Sequence, residues 1–160
     1  MSNIQTATFG AGCFWKTENE FLQVPGVVKT SVGYMGGDFA NPSYLDVVAR
    51  ITGHAEVAQI EYDADVVKYR KLLDIFWQMH DPTSLNRQGV DRGEQYRSVI
   101  FYHSPEQQKI ARESKLRLQQ SGKYDKDIVT EIKPAKEYYL ATEDHQQYLL
   151  KKQRSSVKKI

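Results

Sequence analysis

The chain has 160 residues, of which 40% are hydrophobic, and this size and composition suit one compact domain with a substantial core. A single cysteine excludes an intramolecular disulfide and a cysteine-rich zinc site, and the dispersed histidines predict no metal or bound cofactor (His54, His80, His103, His145). With a net charge of +2, no long apolar run and no signal-peptide pattern at the amino terminus, we expect a cytoplasmic monomer that binds neither membranes nor nucleic acid.

Positive charge is concentrated at the carboxy terminus. The last ten residues hold five basic and no acidic residues (Lys151, Lys152, Arg154, Lys158, Lys159), so the first 150 carry 17 − 20 = −3. Such a segment attracts acidic partners or nucleic acid in some proteins, but a solvated, frayed terminus is commoner. We therefore predict one domain over residues 1–150 and a flexible basic tail over residues 151–160.

The first predicted elements surround the only cysteine. Residues 4–9 read as a strand, two glycines follow, and residues 13–22 are compatible with a helix. Cys13 would then lie in the first turn of that helix, where free backbone N–H groups stabilise an anion, so we expect a lowered thiol pKa and a nucleophilic sulfur. The alternative is a buried cysteine that acts as a small hydrophobic residue.

The rest of the chain interleaves strands with helices. Strands are predicted over residues 28–34, 54–62, 97–103 and 128–132, and helices over residues 69–76, 105–121 and 144–151. Ser104 and Gln107 form a capping-box pattern around Pro105, and Gly122 supplies the stop signal of that helix. Residues 83–93 are polar and irregular, which is typical of a functional loop. This order predicts a two-layer α/β domain with a mixed sheet.

Glu56 is the second informative position. On its predicted strand it shares a face with Ala58, Ile60 and Tyr62, whereas Gln59 lies on the other face. A carboxyl group on an apolar face is either paired or protonated near neutral pH, and a neutral carboxylic acid can act as a general acid. The alternative is a solvated glutamate at the edge of a sheet.

Taken together, a series of ordered motifs resembles the peptide methionine sulfoxide reductase A family. The motifs are residues 12–15 (Gly-Cys-Phe-Trp), 25–28, 32–37, 52–57, 80–83, 95–98 and 141–149, so the resemblance covers the chain to about residue 150. It implies a ferredoxin-like α/β sandwich with extra helices and loops, formed by residues 1–150.

The resemblance also implies roles for individual residues. Cys13 corresponds to the nucleophile that attacks the sulfoxide sulfur and becomes a sulfenic acid, and Glu56 corresponds to the acid that protonates the sulfoxide oxygen. The other implied site residues are Tyr44 and Tyr96 as hydrogen-bond donors to that oxygen, Asp91 as a supporting acid, and Phe14 and Trp15 as the walls around the substrate methyl group. Taken singly, each aromatic residue is more often an ordinary packing residue.

Two departures from the family pattern affect the expected cycle. Many relatives carry further cysteines in a glycine-rich tail that resolve the sulfenic acid, and this chain has none there. We therefore expect an external thiol, from thioredoxin, glutaredoxin or glutathione, to reduce Cys13 after it has acted on the S epimer of free or protein-bound methionine sulfoxide. Val90 and Glu94 replace the Asn and Thr common in the family, which affects hydrogen bonding near Asp91.

Three other functions compete with this interpretation. A one-cysteine peroxidase would use the same low-pKa thiol but gives no reason for the aromatic pair or the pocket acid. A sulfoxide-recognition or redox-sensing module would bind without turnover. A cysteine protease is least favoured, because no histidine is recognisably placed to act as a base for Cys13.

Overall fold

The computed structural model of the protein describes residues 2–158, with side chains described to residue 155. Within that range eight strands and five α-helices alternate along the chain. The strands are β1 (Ile4–Ala11), β2 (Val27–Met35), β3 (Ala55–Asp63), β4 (Arg87–Gln88), β5 (Asp91–Arg92), β6 (Ser98–Tyr102), β7 (Glu131–Pro134) and β8 (Tyr139–Leu140). The helices are α1 (Phe14–Leu22), α2 (Tyr44–Val48), α3 (Tyr69–Gln78), α4 (Pro105–Gln120) and α5 (Tyr148–Lys158).

Six of the strands form one mixed sheet in the order β7-β6-β1-β3-β2-β8. The central strands β6, β1, β3 and β2 pair antiparallel with one another, whereas β7 pairs with β6 in parallel. This central order, with β3 inserted between β1 and β2, is the split β-α-β arrangement of ferredoxin-like folds. The predicted α/β sandwich with a mixed sheet is therefore confirmed.

The main core lies between the sheet and its helices. Phe9 on β1 stacks on Phe21 of α1 and on Phe76 of α3, with ring centroids 5.3 Å and 5.2 Å apart. Leu72 and Leu73 of α3 are completely buried in the same cluster. Because apolar residues recur at helical spacing on α3 and at every second position on the strands, each element buries one face against this layer.

The relative directions of β1, β2 and β3 bring the predicted site residues to one end of the sheet. Because β3 runs antiparallel to both β1 and β2, its amino end lies beside their carboxyl ends. Cys13 follows β1, Tyr34 lies near the end of β2, and Glu56 lies near the start of β3, directly opposite Tyr34 in the register. Residues far apart in sequence therefore meet at one end of the sheet.

Several predicted boundaries shift in the structure. The strand expected over residues 128–132 is β7, three residues further on, because the Val129 N–H is bonded to the Pro82 carbonyl outside the sheet. The loop over residues 83–93 contains the small hairpin β4–β5. The last helix begins at Tyr148 rather than residue 144 and continues through residue 158 of the predicted tail, while residues 159 and 160 lie outside the described residues.

The described helices include none whose length and apolar content would let it cross a bilayer.

The capping box predicted for α4 is half formed. The Ser104 hydroxyl accepts a hydrogen bond from the Gln107 N–H at 3.1 Å, but the Gln107 side chain accepts from the His103 N–H instead of returning to Ser104. One free backbone donor of the helix start is therefore satisfied by the cap.

Candidate active site

Cys13 occupies the turn between β1 and α1. It is the N-cap residue of α1, and its carbonyl accepts from the N–H groups of Lys16 and Thr17 at 3.1 Å and 3.3 Å. Gly12 has a φ of +94°, and a Cβ there would lie 2.9 Å from the Gln88 Cβ on β4. Glycine is therefore required for the left-handed turn and for close packing of the β4–β5 hairpin, which leaves the Cys13 side chain partly exposed.

The predicted lowering of the Cys13 pKa is wrong for the free protein. Burial raises the pKa of the thiol to about 11, and the negative charges of Glu56 and Asp91 act in the same direction. The backbone N–H groups of Trp15 and Lys16, near the sulfur in the first turn of α1, lower the thiol pKa, as expected for a helix start, but their effect is smaller. The resting sulfur is thus a protonated thiol at neutral pH.

Glu56 is buried at the start of β3, with 1% of its surface exposed. Its Oε1 accepts a hydrogen bond from the Phe14 N–H at 3.2 Å, while its Oε2 has no partner among the described residues. Burial raises the pKa of this carboxyl to about 7, the Phe14 hydrogen bond opposes the rise, and the charge of Asp91 adds to it. A carboxylic acid that keeps its proton near pH 7 is suited to donating it, as the sequence predicted.

The remaining predicted polar residues approach the same place from two loops. Tyr44 begins α2, whose start is fixed by a reciprocal capping box between Ser43 and Asp46. Asp91 lies in the β4–β5 hairpin, and Tyr96 ends the short 3-10 helix that follows it.

The pKa shifts of the two tyrosines have common causes. Burial raises the pKa of both tyrosines, and for each the charge of Glu56 is the second cause; the value for Tyr96 is about 12. Asp91 and Cys13 contribute to the same shifts. The structure therefore brings Cys13, Tyr44, Glu56, Asp91 and Tyr96 together, with both phenols protonated and available as hydrogen-bond donors at neutral pH.

Phe14 and Trp15 form an aromatic wall beside Cys13. Phe14 is completely buried, whereas Trp15 is partly exposed. The Trp15 Nε1–H donates to His145 Nδ1 at 3.1 Å, and its indole stacks on the Tyr148 ring with centroids 3.9 Å apart. The His145 ring also lies 4.6 Å from Tyr44. An apolar, sharply shaped wall of this kind suits a small thioether side chain.

Sequence reasoning missed three residues of the site. Tyr34 lies opposite Glu56 in the sheet register and 5.6 Å from the Phe14 ring, and its buried hydroxyl has no partner among the described residues. His145 and Tyr148 belong to a quoted motif but received no role. The alternation of apolar and polar residues along β2 indicated that Tyr34 lies on the buried face of that strand. Only the strand register, however, places Tyr34 beside Glu56.

Nothing in the described part of the chain groups three or more histidine, cysteine, aspartate or glutamate side chains around a point where a metal ion would bind. A partly exposed sulfur beside a protonated carboxylic acid and an aromatic wall can attack an electrophile while an acid protonates its leaving atom.

Comparison with known proteins identifies relatives along most of the chain. The family described as peptide methionine sulfoxide reductase matches residues 5–160. A peptide methionine sulfoxide reductase, MsrA 1 of Nostoc sp., is 64% identical over 148 residues, which cover 92% of this chain and 91% of that protein.

Solved structures are similar over the same region. The crystal structure of reduced Mxr1 from Saccharomyces cerevisiae has a TM-score of 0.87 and 37% sequence identity, covering 92% of this chain and 85% of that one. Mxr1 in complex with Trx2 has a TM-score of 0.64 and 28% identity, covering 91% of this chain and 84% of that one.

Proposed function

Because this chain belongs to the peptide methionine sulfoxide reductase family and is an oxidoreductase that reduces methionine sulfoxide, we propose that Cys13 is its nucleophile and Glu56 its general acid. The observation that carries this proposal is the hydrogen bond between the Phe14 backbone and the Glu56 side chain. The residue that follows the nucleophile donates its N–H to the acid at 3.2 Å, so one peptide unit links the two groups.

The proposed reaction transfers the sulfoxide oxygen to Cys13. The Cys13 sulfur attacks the sulfoxide sulfur and forms an S–S bond while Glu56 protonates the sulfoxide oxygen, because that oxygen leaves only as a neutral or strongly hydrogen-bonded group. Transfer of the resulting hydroxyl group to the Cys13 sulfur then breaks the S–O bond and the S–S bond of this adduct and releases the thioether. The substrate is reduced by two electrons to a thioether and the thiol is oxidised to a sulfenic acid, so a thiol and a sulfoxide give a sulfenic acid and methionine. Tyr44 and Tyr96 donate hydrogen bonds to the oxygen as its charge grows.

The same geometry supports selection of one sulfoxide epimer. A sulfoxide sulfur carries an oxygen, a methyl group and the remainder of the side chain in a fixed chiral order. If the oxygen faces Glu56 and the methyl group faces Phe14 and Trp15, only one epimer leaves its sulfur open to Cys13. We assign this as the S epimer, as the family resemblance implies.

An external thiol completes the proposed cycle. The chain contains a single cysteine, so the sulfenic acid cannot be resolved by a second cysteine of the same chain. The yeast relative Mxr1 has been solved in complex with Trx2, which supports a thioredoxin as reductant here. Glutaredoxin and glutathione stay alternatives. Repair of oxidised proteins, cytoplasmic location and the monomeric state also remain predictions.

One assay tests the proposed function. Each epimer of a blocked methionine sulfoxide is supplied with dithiothreitol, and methionine release is followed for the unmodified protein and for Cys13→Ser. We expect turnover of the S epimer alone and complete loss in the variant. Turnover that survives Cys13→Ser would contradict the assignment, and consumption of peroxide without methionine release would instead identify a peroxidase.

A further inference from the structure

The chain just before α5 brings two rings against the aromatic wall. The Trp15 Nε1–H donates to His145 Nδ1 at 3.1 Å, and the indole stacks on the Tyr148 ring with centroids 3.9 Å apart. Because an indole N–H can only donate, His145 Nδ1 is the acceptor, and the proton of the neutral imidazole lies on Nε2. The position of the Trp15 ring therefore depends on residues 145–148, which we call the wall segment.

A buried carboxylate of α1 fastens the wall segment. Glu18 is 1% exposed and follows Trp15 by three residues, so the two side chains lie on one side of the helix. Glu18 Oε1 accepts a hydrogen bond from the Gln147 N–H at 2.7 Å, and Oε2 accepts one from the Thr30 hydroxyl of β2 at 2.7 Å. One oxygen thus holds the wall segment and the other holds the sheet.

Packing alone does not account for a carboxylate at position 18. None of the ion pairs among the described residues includes Glu18, so two hydrogen bonds replace its hydration without a cation. Gln147 has a φ of +51°, a left-handed conformation that is disfavoured for a residue with a side chain. An apolar side chain would fill the place of Glu18 without the cost of desolvating a charge. The carboxylate is therefore explained by what it holds, the N–H of the wall segment.

A second anchor holds the same segment from the sheet. The Gln146 side-chain amide accepts from the Val32 N–H and donates to the Val32 carbonyl, both at 2.8 Å, and it also donates to the Ala141 carbonyl at 3.0 Å. Gln146 thus fixes the wall segment to β2. Glu18 makes the other connection, from this segment to the helix that carries Trp15.

We propose that Glu18 is a positioning residue for substrate binding, which holds the wall segment against α1 and so fixes the Trp15 ring that faces the substrate methyl group. This inference rests on the proposed function for the role of Trp15. Being almost completely buried, Glu18 cannot contact a substrate itself. The wall contacts the methyl group before and during the reaction, so its loosening should weaken binding and leave the chemical step of Cys13 and Glu56 largely intact.

Four variants separate positioning from stability. Glu18→Met removes both hydrogen bonds, and Glu18→Asp, which is one methylene shorter, weakens them and serves as a second loss variant. Glu18→Gln keeps an oxygen for the Gln147 N–H and an amide N–H for the Thr30 hydroxyl, so it should restore the wall. Thr30→Val leaves the Gln147 bond but takes away the other partner of the carboxylate, so it is the matched control for destabilisation.

Single-turnover methionine release without reductant, followed over a range of sulfoxide concentrations, gives the saturating rate and the half-saturating concentration. We expect Glu18→Met and Glu18→Asp to raise the half-saturating concentration by about tenfold and to leave the saturating rate within about threefold. Glu18→Gln and Thr30→Val should keep both values within about twofold, although Thr30→Val lowers the urea midpoint of unfolding. Equal weakening of binding by Glu18→Met and Thr30→Val overturns the proposal, and so does a loss confined to the saturating rate.

The fluorescence of Trp15 tests the same inference without turnover. The chain has two tryptophans, so Trp77→Phe leaves Trp15 as the single reporter. In that background Glu18→Met should increase quenching of Trp15 by acrylamide, because the ring loses its cover by Tyr148, and Glu18→Gln should not. Unchanged quenching in Glu18→Met overturns the proposal even where the protein is active. A failure of the proposed function would appear separately, as no methionine release from the unmodified protein.

Discussion

The helix start that holds Cys13 and the sheet interior that holds Glu56 provide different surroundings for an acidic group. Cys13 is partly exposed and lies near the backbone N–H groups of Trp15 and Lys16, whereas Glu56 is almost completely buried and accepts a hydrogen bond from the Phe14 N–H. Burial is nevertheless the first cause of a raised pKa at both positions, and the charge of Asp91 raises both. A helix start alone therefore does not make a thiolate when the sulfur is also buried near carboxylates.

A further consequence is that the two groups together govern the reactive state. In the proposed reaction, attack requires a thiolate at Cys13 and a carboxylic acid at Glu56, so the two groups together hold one proton. The pKa values of the Cys13 thiol and the Glu56 carboxyl are about 11 and about 7. Between pH 7 and pH 11 the resting pair therefore holds a single proton, and this proton is on the sulfur. Transfer of this proton to the carboxyl gives the reactive form without exchange with solvent.

Glu56→Gln should produce the largest effect, because it removes the acidic proton while leaving an acceptor for the Phe14 N–H. We expect kcat for methionine release to fall by about 100-fold to 1,000-fold, as when one stabilising donor to a developing oxyanion is lost. Glu61→Gln, on the other face of the same strand, is the matched control and should leave kcat unchanged. Equal kinetics in the two variants would remove Glu56 from the mechanism.

The pH dependence of kcat/KM should reveal the shared proton. Below pH 7 both groups are protonated, so kcat/KM should rise by about tenfold per pH unit, and it should level off once Glu56 loses its proton near pH 7. Single-turnover methionine release, measured from pH 5 to pH 9 without reductant, avoids titration of the reducing thiol.

In Glu56→Gln the break near pH 7 should vanish. The rate should then keep rising with pH, because it follows the Cys13 thiolate alone and loss of the Glu56 charge lowers the thiol pKa from about 11. A rate of the unmodified protein that instead declines above pH 7 would show that the thiol is already ionised there.

The same substitution should stabilise the fold. The Glu56 pKa is raised from 4.5 to about 7, so burial of the charged carboxylate destabilises the folded protein. This destabilisation is absent below pH 4.5 and complete above pH 7. At about 1.4 kcal/mol per pKa unit, Glu56→Gln should raise the free energy of unfolding by roughly 3 kcal/mol at pH 8. Urea unfolding at pH 8 and at pH 4 measures the gain and its loss; a gain that persists at pH 4 would point to packing instead of charge.

Tyr34→Phe and Tyr69→Phe should give the smallest effects and separate the site from the core. Both tyrosines bury a hydroxyl that has no partner among the described residues, but only Tyr34 lies opposite Glu56. Removing either hydroxyl should raise the free energy of unfolding by about 1 kcal/mol. Only Tyr34→Phe should also slow methionine release, by less than Glu56→Gln does. If both variants slow it equally, Tyr34 has no special place in the site.

Local pattern predicted much of the fold. The alternation before Tyr34, the apolar spacing from Tyr69 and the caps around Pro105 each placed an element within a few residues, because these signals depend on neighbours in sequence. The strand near residue 130 and the last helix were misplaced, because parallel pairing with β6 and packing on α1 fix them through distant contacts.

For this protein, the sequence by itself indicated the family and predicted that a strand–glycine–helix turn would present Cys13. The tertiary structure alone decided the protonation states, because the pKa values of Cys13 and Glu56 depend on burial and on charges from other elements. It also decided the pairing of Tyr34 with Glu56. Strand register and desolvation are properties of the whole packed chain, and no short segment encodes them.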